Sequence, residues 1–216
     1  MKVFNQLIIV PLLLTVLPAE AAVTFTPATG APGMNSVSTD LFQTSLTSTN
    51  WPTNNNINNG TTGTFDESSA TNPANVTADP SSTFTFNLDV TANPLGYTIT
   101  SINSFSGWGD NRAGQSYTIS FSNVATPLVF TQITPGGTGF NAVSVAASGT
   151  SLVTNVFDDT TAPLGTGVHS IRFDVGVNGA GNVWREIDAI GVATIPEPGA
   201  ALLGGLGLLG LLRRRR

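Results

Sequence analysis

The 216-residue chain carries a formal net charge of −5, is only 10% charged and contains no cysteine. Its length gives room for one domain of ordinary size, and the missing cysteines exclude a disulfide framework, so an exported domain would have to be held by its core alone. Eleven of the 13 acidic residues but only Arg112, Arg172 and Arg185 among the eight basic ones lie in 22–195, a net −8 for that stretch. Such a surface repels a phosphate backbone, which argues against nucleic acid as a partner.

The amino end reads as a secretory signal peptide over 1–21. Lys2 is the only early charge, Leu7–Leu17 (LIIVPLLLTVL) is an apolar run, and PAEAA supplies small residues for a signal peptidase to cut after Ala21 or Ala22. Pro11 and Pro18 argue against a buried N-terminal helix, since each removes a backbone donor and crowds the preceding turn. Residues 22–195 then form the predicted body. Within it, Thr47–Thr83 is rich in Asn, Thr, Ser and Pro and poor in large apolar residues. That stretch can bury little surface and reads as a long loop.

From Thr83 onward the pattern alternates. Phe84, Phe86, Leu88 and Val90 share one face of a strand; so do Tyr117, Ile119 and Phe121, and Ile171, Phe173, Val175 and Val177. Further runs are GYTITSI, PLVFTQI, AVSVAA, SLVTNV and WREIDAIGVA, separated by turns such as NPLG, GWGDNRAG and TPGGTG. Period-two alternation with β-branched and aromatic residues predicts half-buried antiparallel strands. About eight of them in one domain predict an all-β fold, an antiparallel β-sandwich of jelly-roll type.

Few residue constellations carry chemistry. The loop Ser106–Gln115 offers Trp108 as a flat apolar face for a sugar ring, with Asp110 and Arg112 to hydrogen-bond its hydroxyls and glycines that let the backbone approach. The competing reading packs Trp108 under the loop and pairs Arg112 with Asp110. On a regular strand, WREIDAIG would place Trp184, Glu186 and Asp188 on one face and Arg185, Ile187 and Ala189 on the other. Two carboxylates so spaced could suit glycosidase chemistry, but a solvated face, or pairing with Arg172, is the plainer expectation. Asp158 and Asp159 with Thr160 and Thr161 could contribute to a structural calcium site or simply form an acidic turn. His169, the only histidine, cannot assemble a zinc site alone. With no nucleophile motif, phosphate loop or dinucleotide fingerprint, the expectation is a non-enzyme without a catalytic metal or cofactor.

The carboxyl end combines Pro196-Glu197-Pro198, an uncharged run Gly199–Leu212 and Arg213, Arg214, Arg215 and Arg216. As a helix the run reaches roughly 21 Å, short of the ~30 Å hydrocarbon core. Its seven leucines give roughly −2 to −4 kcal/mol for insertion, and its five glycines weaken it. It therefore reads as a temporary hold, with the arginines as a stop signal on the cytoplasmic side. These three features in this order resemble the PEP-CTERM sorting signal of Gram-negative bacteria. The resemblance implies recognition by an exosortase, a membrane cysteine transpeptidase that cleaves near the Pro-Glu-Pro. It also implies transient residence in the inner membrane and delivery to the cell surface or extracellular matrix, often beside exopolysaccharide. The segment 196–216 is assigned to that role.

The body carries a second resemblance. Gly96–Asn123, then GVHSIRFDVG and WREIDAIG, is similar to the galactose-binding-like, discoidin-type jelly roll, which implies a saccharide-binding fold over roughly Thr83–Ala193. The resulting expectation is an exported, non-enzymatic surface or matrix protein that binds carbohydrate. A structural matrix protein without a saccharide site and a secreted glycan hydrolase are the alternatives.

Overall fold

The computed structural model describes residues 24–30, 38–50, 57–62, 76–78, 81–106, 115–133, 141–143, 152–159, 161–176 and 182–196. The expected signal helix and the C-terminal apolar helix both lie outside these residues. The elements in chain order are β1 (Thr24–Gly30), α1 (Leu41–Thr44), β2 (Leu46–Thr49), β3 (Val76–Ala78), β4 (Thr83–Leu88), β5 (Tyr97–Ser106), β6 (Gln115–Asn123), β7 (Thr126–Gln132), β8 (Asn141–Val143), β9 (Leu152–Asp158), β10 (Gly165–Val175) and β11 (Asn182–Ala193).

Every strand pair is antiparallel. One layer runs β3–β11–β5–β9–β1. The other runs β2–β4–β10–β6, with β7 and β8 sharing the far edge of β6. The layers are one hydrogen-bonded sheet folded on itself, because the first residues of β5 pair with the first residues of β10 before the two strands diverge. This is the β-sandwich that the alternation predicts.

The core is built from the alternating residues. Phe84, Phe86 and Leu88 of β4, Tyr117, Ile119 and Phe121 of β6, and Ile171, Phe173 and Val175 of β10 face Ile99 and Ile102 of β5 and Trp184, Ile187 and Ala189 of β11. A chain of ring contacts crosses from one layer to the other. Phe42 stacks on Phe86 at 4.3 Å between centroids, Phe86 meets Phe173 edge-on, and Tyr117 touches both Phe173 and Trp184. Such pairs contribute about 0.5–1.5 kcal/mol each beyond the area they bury, which suits a domain without cysteines.

The stretch Thr47–Thr83, expected to be loop, contains more structure than its composition announces. The end of β2 and all of β3 lie in it, and Ile57 is fully buried in the core cluster. One isoleucine in an Asn-rich run suffices because the surrounding backbone is hydrogen-bonded to β11, with Ile187 N donating to Ile57 O at 2.6 Å.

The folded-over joint depends on Gly96. Its φ is +73°, and a Cβ there would meet the Gly167 carbonyl carbon and the Val168 oxygen at 2.7 Å. Both the conformation and the contact exclude a side chain. Gly96→Ala is therefore expected to lower unfolding free energy by about 2 kcal/mol or more, measured by urea denaturation; a loss within 0.5 kcal/mol, the range of about an ordinary surface substitution, would contradict this account of the joint.

Candidate functional site

The candidate ligand residues Trp108, Asp110 and Arg112 lie outside the described residues, but the two roots of their loop do not. Ser106 ends β5 and Gln115 opens β6, and both are buried. Gln115 Oε1 accepts from Ser104 Oγ at 2.6 Å and from Trp184 Nε1 at 3.0 Å, while Gln115 Nε2 donates to Ser104 O at 3.2 Å. Since Ser104 gives its proton to Gln115, the Tyr117 hydroxyl donates to Ser104 Oγ. Four fully buried polar side chains thus tie β5, β6 and β11 together directly beneath the loop. A satisfied network of this kind fixes a single geometry, because any broken member is left buried and unpaired.

The second constellation gathers Asp40, Glu186 and Asp188, whose carboxylates each place an oxygen within 4.8 Å of the others. All three are fully buried, which corrects the expectation of a solvated strand face. Arg172 is not their partner. It pairs with Asp174 at 3.1 Å and lies 4.5 Å over the Phe130 ring. The face assignment changes too. A β-bulge between Trp184 and Glu186 inserts Arg185 as an extra residue. Trp184, Ile187 and Ala189 therefore share the core face, and Glu186 and Asp188 turn to the opposite one, with Phe105 paired across from Glu186. Period-two counting cannot register a bulge, which is why the strand reads differently in sequence.

Asp40 is the member that the sequence reading missed. It is the N-cap of α1, and its Oδ1 accepts from Phe42 N and Ala189 N, each at 3.0 Å. The signal for it was present: an aspartate immediately before the apolar pair Leu41-Phe42 is a helix-start pattern. Asp40 Oδ2 is buried without a hydrogen-bond partner of ordinary geometry. Glu186 Oε1 accepts from Gly60 N at 2.8 Å and Oε2 from Asn59 N at 3.2 Å. Nearby, Arg185 Nη1 donates to Thr62 O at 3.2 Å. These contacts strap 57–62 and 39–40 along the edge of β11 that β5 leaves open.

Burial pushes the Glu186 carboxyl up to about 8; Asp188 and Asp40 push it further, against the N–H groups of Gly60 and Asn59. Burial likewise raises Asp40, opposed by the N–H groups of Phe42 and Ala189 and by Gln43. Three carboxylates, one with an orphaned oxygen, fit a hard divalent cation, which oxygen donors hold best. The turn at Asp158 and Asp159 fits one less well: Asp159 Oδ1 already accepts from Thr161 N at 2.8 Å and Thr161 Oγ1 at 2.7 Å, and these bonds lower its pKa. His169 is a half-buried strand residue whose Nδ1 lies 2.6 Å from Ser170 Oγ.

The sorting segment leaves the body at β11. Thr194 is the last residue held: its N–H donates to Gly96 O at 2.9 Å, and its hydroxyl meets Thr98 Oγ1 at 3.0 Å and Gly167 N at 3.3 Å. Pro196 is exposed; Glu197, Pro198 and Arg213–Arg216 lie outside the described residues. No helix among the described residues is long and apolar enough to cross a membrane.

Residues 194–216 match the family model of the PEP-CTERM protein-sorting motif. No curated protein matches the chain. Among solved structures, the chain is similar to CBM32-1 from a family 31 glycoside hydrolase of Clostridium perfringens, at 10% identity and TM-score 0.40, covering 76% of this chain and 93% of that one. It is also similar to the CBM32 of AlyQ in complex with 4,5-unsaturated mannuronic acid, at 13% identity and TM-score 0.42 over 67% and 95% of the two chains. A third, CpGH89CBM32-6 produced by Clostridium perfringens, has 17% identity and TM-score 0.42 over 67% and 93%.

The raised Glu186 pKa gives a signed expectation. A carboxyl whose pKa rises on folding holds its proton more tightly in the native state, so its contribution is fully present below the ordinary 4.5 and is lost as pH climbs toward about 8. In a chelating buffer the melting midpoint is expected to fall by several degrees across that window. Glu186→Gln should flatten the fall, whereas a midpoint that rises with pH in the parent would overturn the assignment. A PEP-CTERM sorting signal on an antiparallel β-sandwich is what the chain presents.

Proposed function

We propose that this is an exported, non-enzymatic surface or matrix protein. Its body is handed over by an exosortase that cleaves near Pro196-Glu197-Pro198 while the apolar run holds the chain in the inner membrane. One observation carries the reading: the sorting motif begins at the residue, Thr194, where the folded body ends. The enzyme would meet an exposed strip directly beyond a rigid domain, with Pro196 and Pro198 keeping it extended. Intact mass of the protein recovered from surface and medium fractions tests this. A species ending near Pro196–Pro198 is expected; one still ending at Arg216 in the membrane fraction would reduce the tail to a plain anchor.

For the released body, we propose carbohydrate binding through the loop carrying Trp108, Asp110 and Arg112, with exopolysaccharide as the partner. The buried frame of Ser104, Gln115, Tyr117 and Trp184 supports it, since a ligand loop needs rigid roots. On a glycan array, Trp108→Ala is expected to lower binding at least tenfold with an unchanged melting midpoint. Absence of binding by the parent protein, with and without calcium, would favour the structural alternative.

A structural calcium is a second reading, favoured by the orphaned Asp40 Oδ2. Asp40, Glu186 and Asp188 would hold it, and it would neutralise their charge and tie α1, 57–60 and β11 together. Millimolar calcium should then raise the melting midpoint at pH 8 by several degrees. Asp40→Asn, which keeps the cap, should abolish that rise; no shift in the parent would remove calcium from the account.

A further inference from the structure

The end of the sandwich from which the tail departs differs from the rest of the body. Residues 91–96, 123–126, 164–168 and 192–196 meet there, brought together by Thr194 N donating to Gly96 O, Gly167 N to Thr194 Oγ1 and Val124 N to Gly167 O. None of them is charged, in a body whose net charge is −8. Leu95, Val192 and Ile195 stand out from it at 45%, 56% and 76% exposure. The nearest acid, Asp89, turns its Oδ1 inward onto Thr91 N and Ala92 N.

Covalent geometry restricts where this end can sit. Thr194 is the last residue fixed to the body, and the apolar run begins at Gly199, so the connecting chain spans at most roughly 17 Å. A headgroup layer takes up roughly 5–8 Å of that. Thr194 can therefore stand no more than roughly 10 Å above the membrane surface. With a tether so short, the acidic flanks are repelled by an anionic leaflet while the uncharged end is not.

We propose that this uncharged end is a lipid-facing surface: while the tail is inserted, the sandwich stands end-on, with Leu95, Val192 and Ile195 against the headgroups. The inference rests on the membrane-held tail proposed above. It places the opposite end, where β10 finishes at Val175 and Ser81 is exposed, roughly 30 Å farther out, given the ten residue steps of β10 from Gly165. The roots of the Trp108 loop lie at that outer end, because Gln115 and Ser106 begin and end strands whose other ends meet at the knot.

The absence of native cysteine makes the test direct. The full chain is reconstituted into phosphatidylethanolamine–phosphatidylglycerol vesicles, and Leu95→Cys, Val192→Cys and Ser81→Cys are each labelled with a fluorophore. A headgroup-attached quencher should quench the labels at 95 and 192 several-fold more than the label at 81. A flexible twelve-residue spacer (about 40 Å when extended) inserted between Thr194 and Ile195 should remove the difference. Equal quenching at all three sites in chains that float with vesicles would overturn the end-on orientation and leave the membrane-held tail intact. Chains that do not float would overturn both. Quenching that appears only when an exosortase is co-reconstituted would reassign the face to protein and also overturn the lipid contact.

Discussion

The absence of a side chain at Gly96 is the constraint on which the rest of the molecule depends. Strands β5 and β10 belong to different layers, yet they start from one backbone contact too close for any Cβ. That contact folds a single eleven-stranded sheet into a sandwich. It also sets the spacing at which Thr194 reaches both Gly96 and Gly167. Core, layer order and the exit of the sorting segment therefore share one origin.

Away from that joint, the domain is held by methods suited to a chain without disulfides. The ring contacts from Phe42 to Trp184 bind the layers through apolar burial. The Ser104–Gln115–Tyr117–Trp184 bonds fix the same layers through direction. The apolar contacts tolerate small shifts, whereas the hydrogen bonds do not, because each buried donor needs its own acceptor. Trp184 belongs to both sets, so its ring and its indole N–H act on the same join.

Much of the fold was legible in the sequence because most strands are regular. Phe84-Phe86-Leu88 and Ile171-Phe173-Val175 alternate without interruption, and their burial follows the alternation. Legibility failed where a local irregularity or a distant partner decided the outcome. The bulge at Arg185 shifts the parity of β11. Ile57 finds a place in the core only because β11 offers its backbone edge to an Asn-rich segment that has little apolar surface of its own. Asp40 reads locally as a helix cap, and its closeness to Glu186 and Asp188 arises from residues about 150 positions away. The tail is the opposite case: its three parts are contiguous, so its role was written in one dimension.

The single residue inserted at Arg185 has a consequence for how this segment can change. Replacing any one side chain in β11 leaves its neighbours where they are. Removing one residue between Trp184 and Glu186 would carry Glu186 and Asp188 into the apolar interior and expel Ile187 and Ala189, unless the whole strand slid to compensate. The segment thus behaves like a reading frame, tolerant of substitution but intolerant of a change in length, and Arg185 is the position that keeps it in phase.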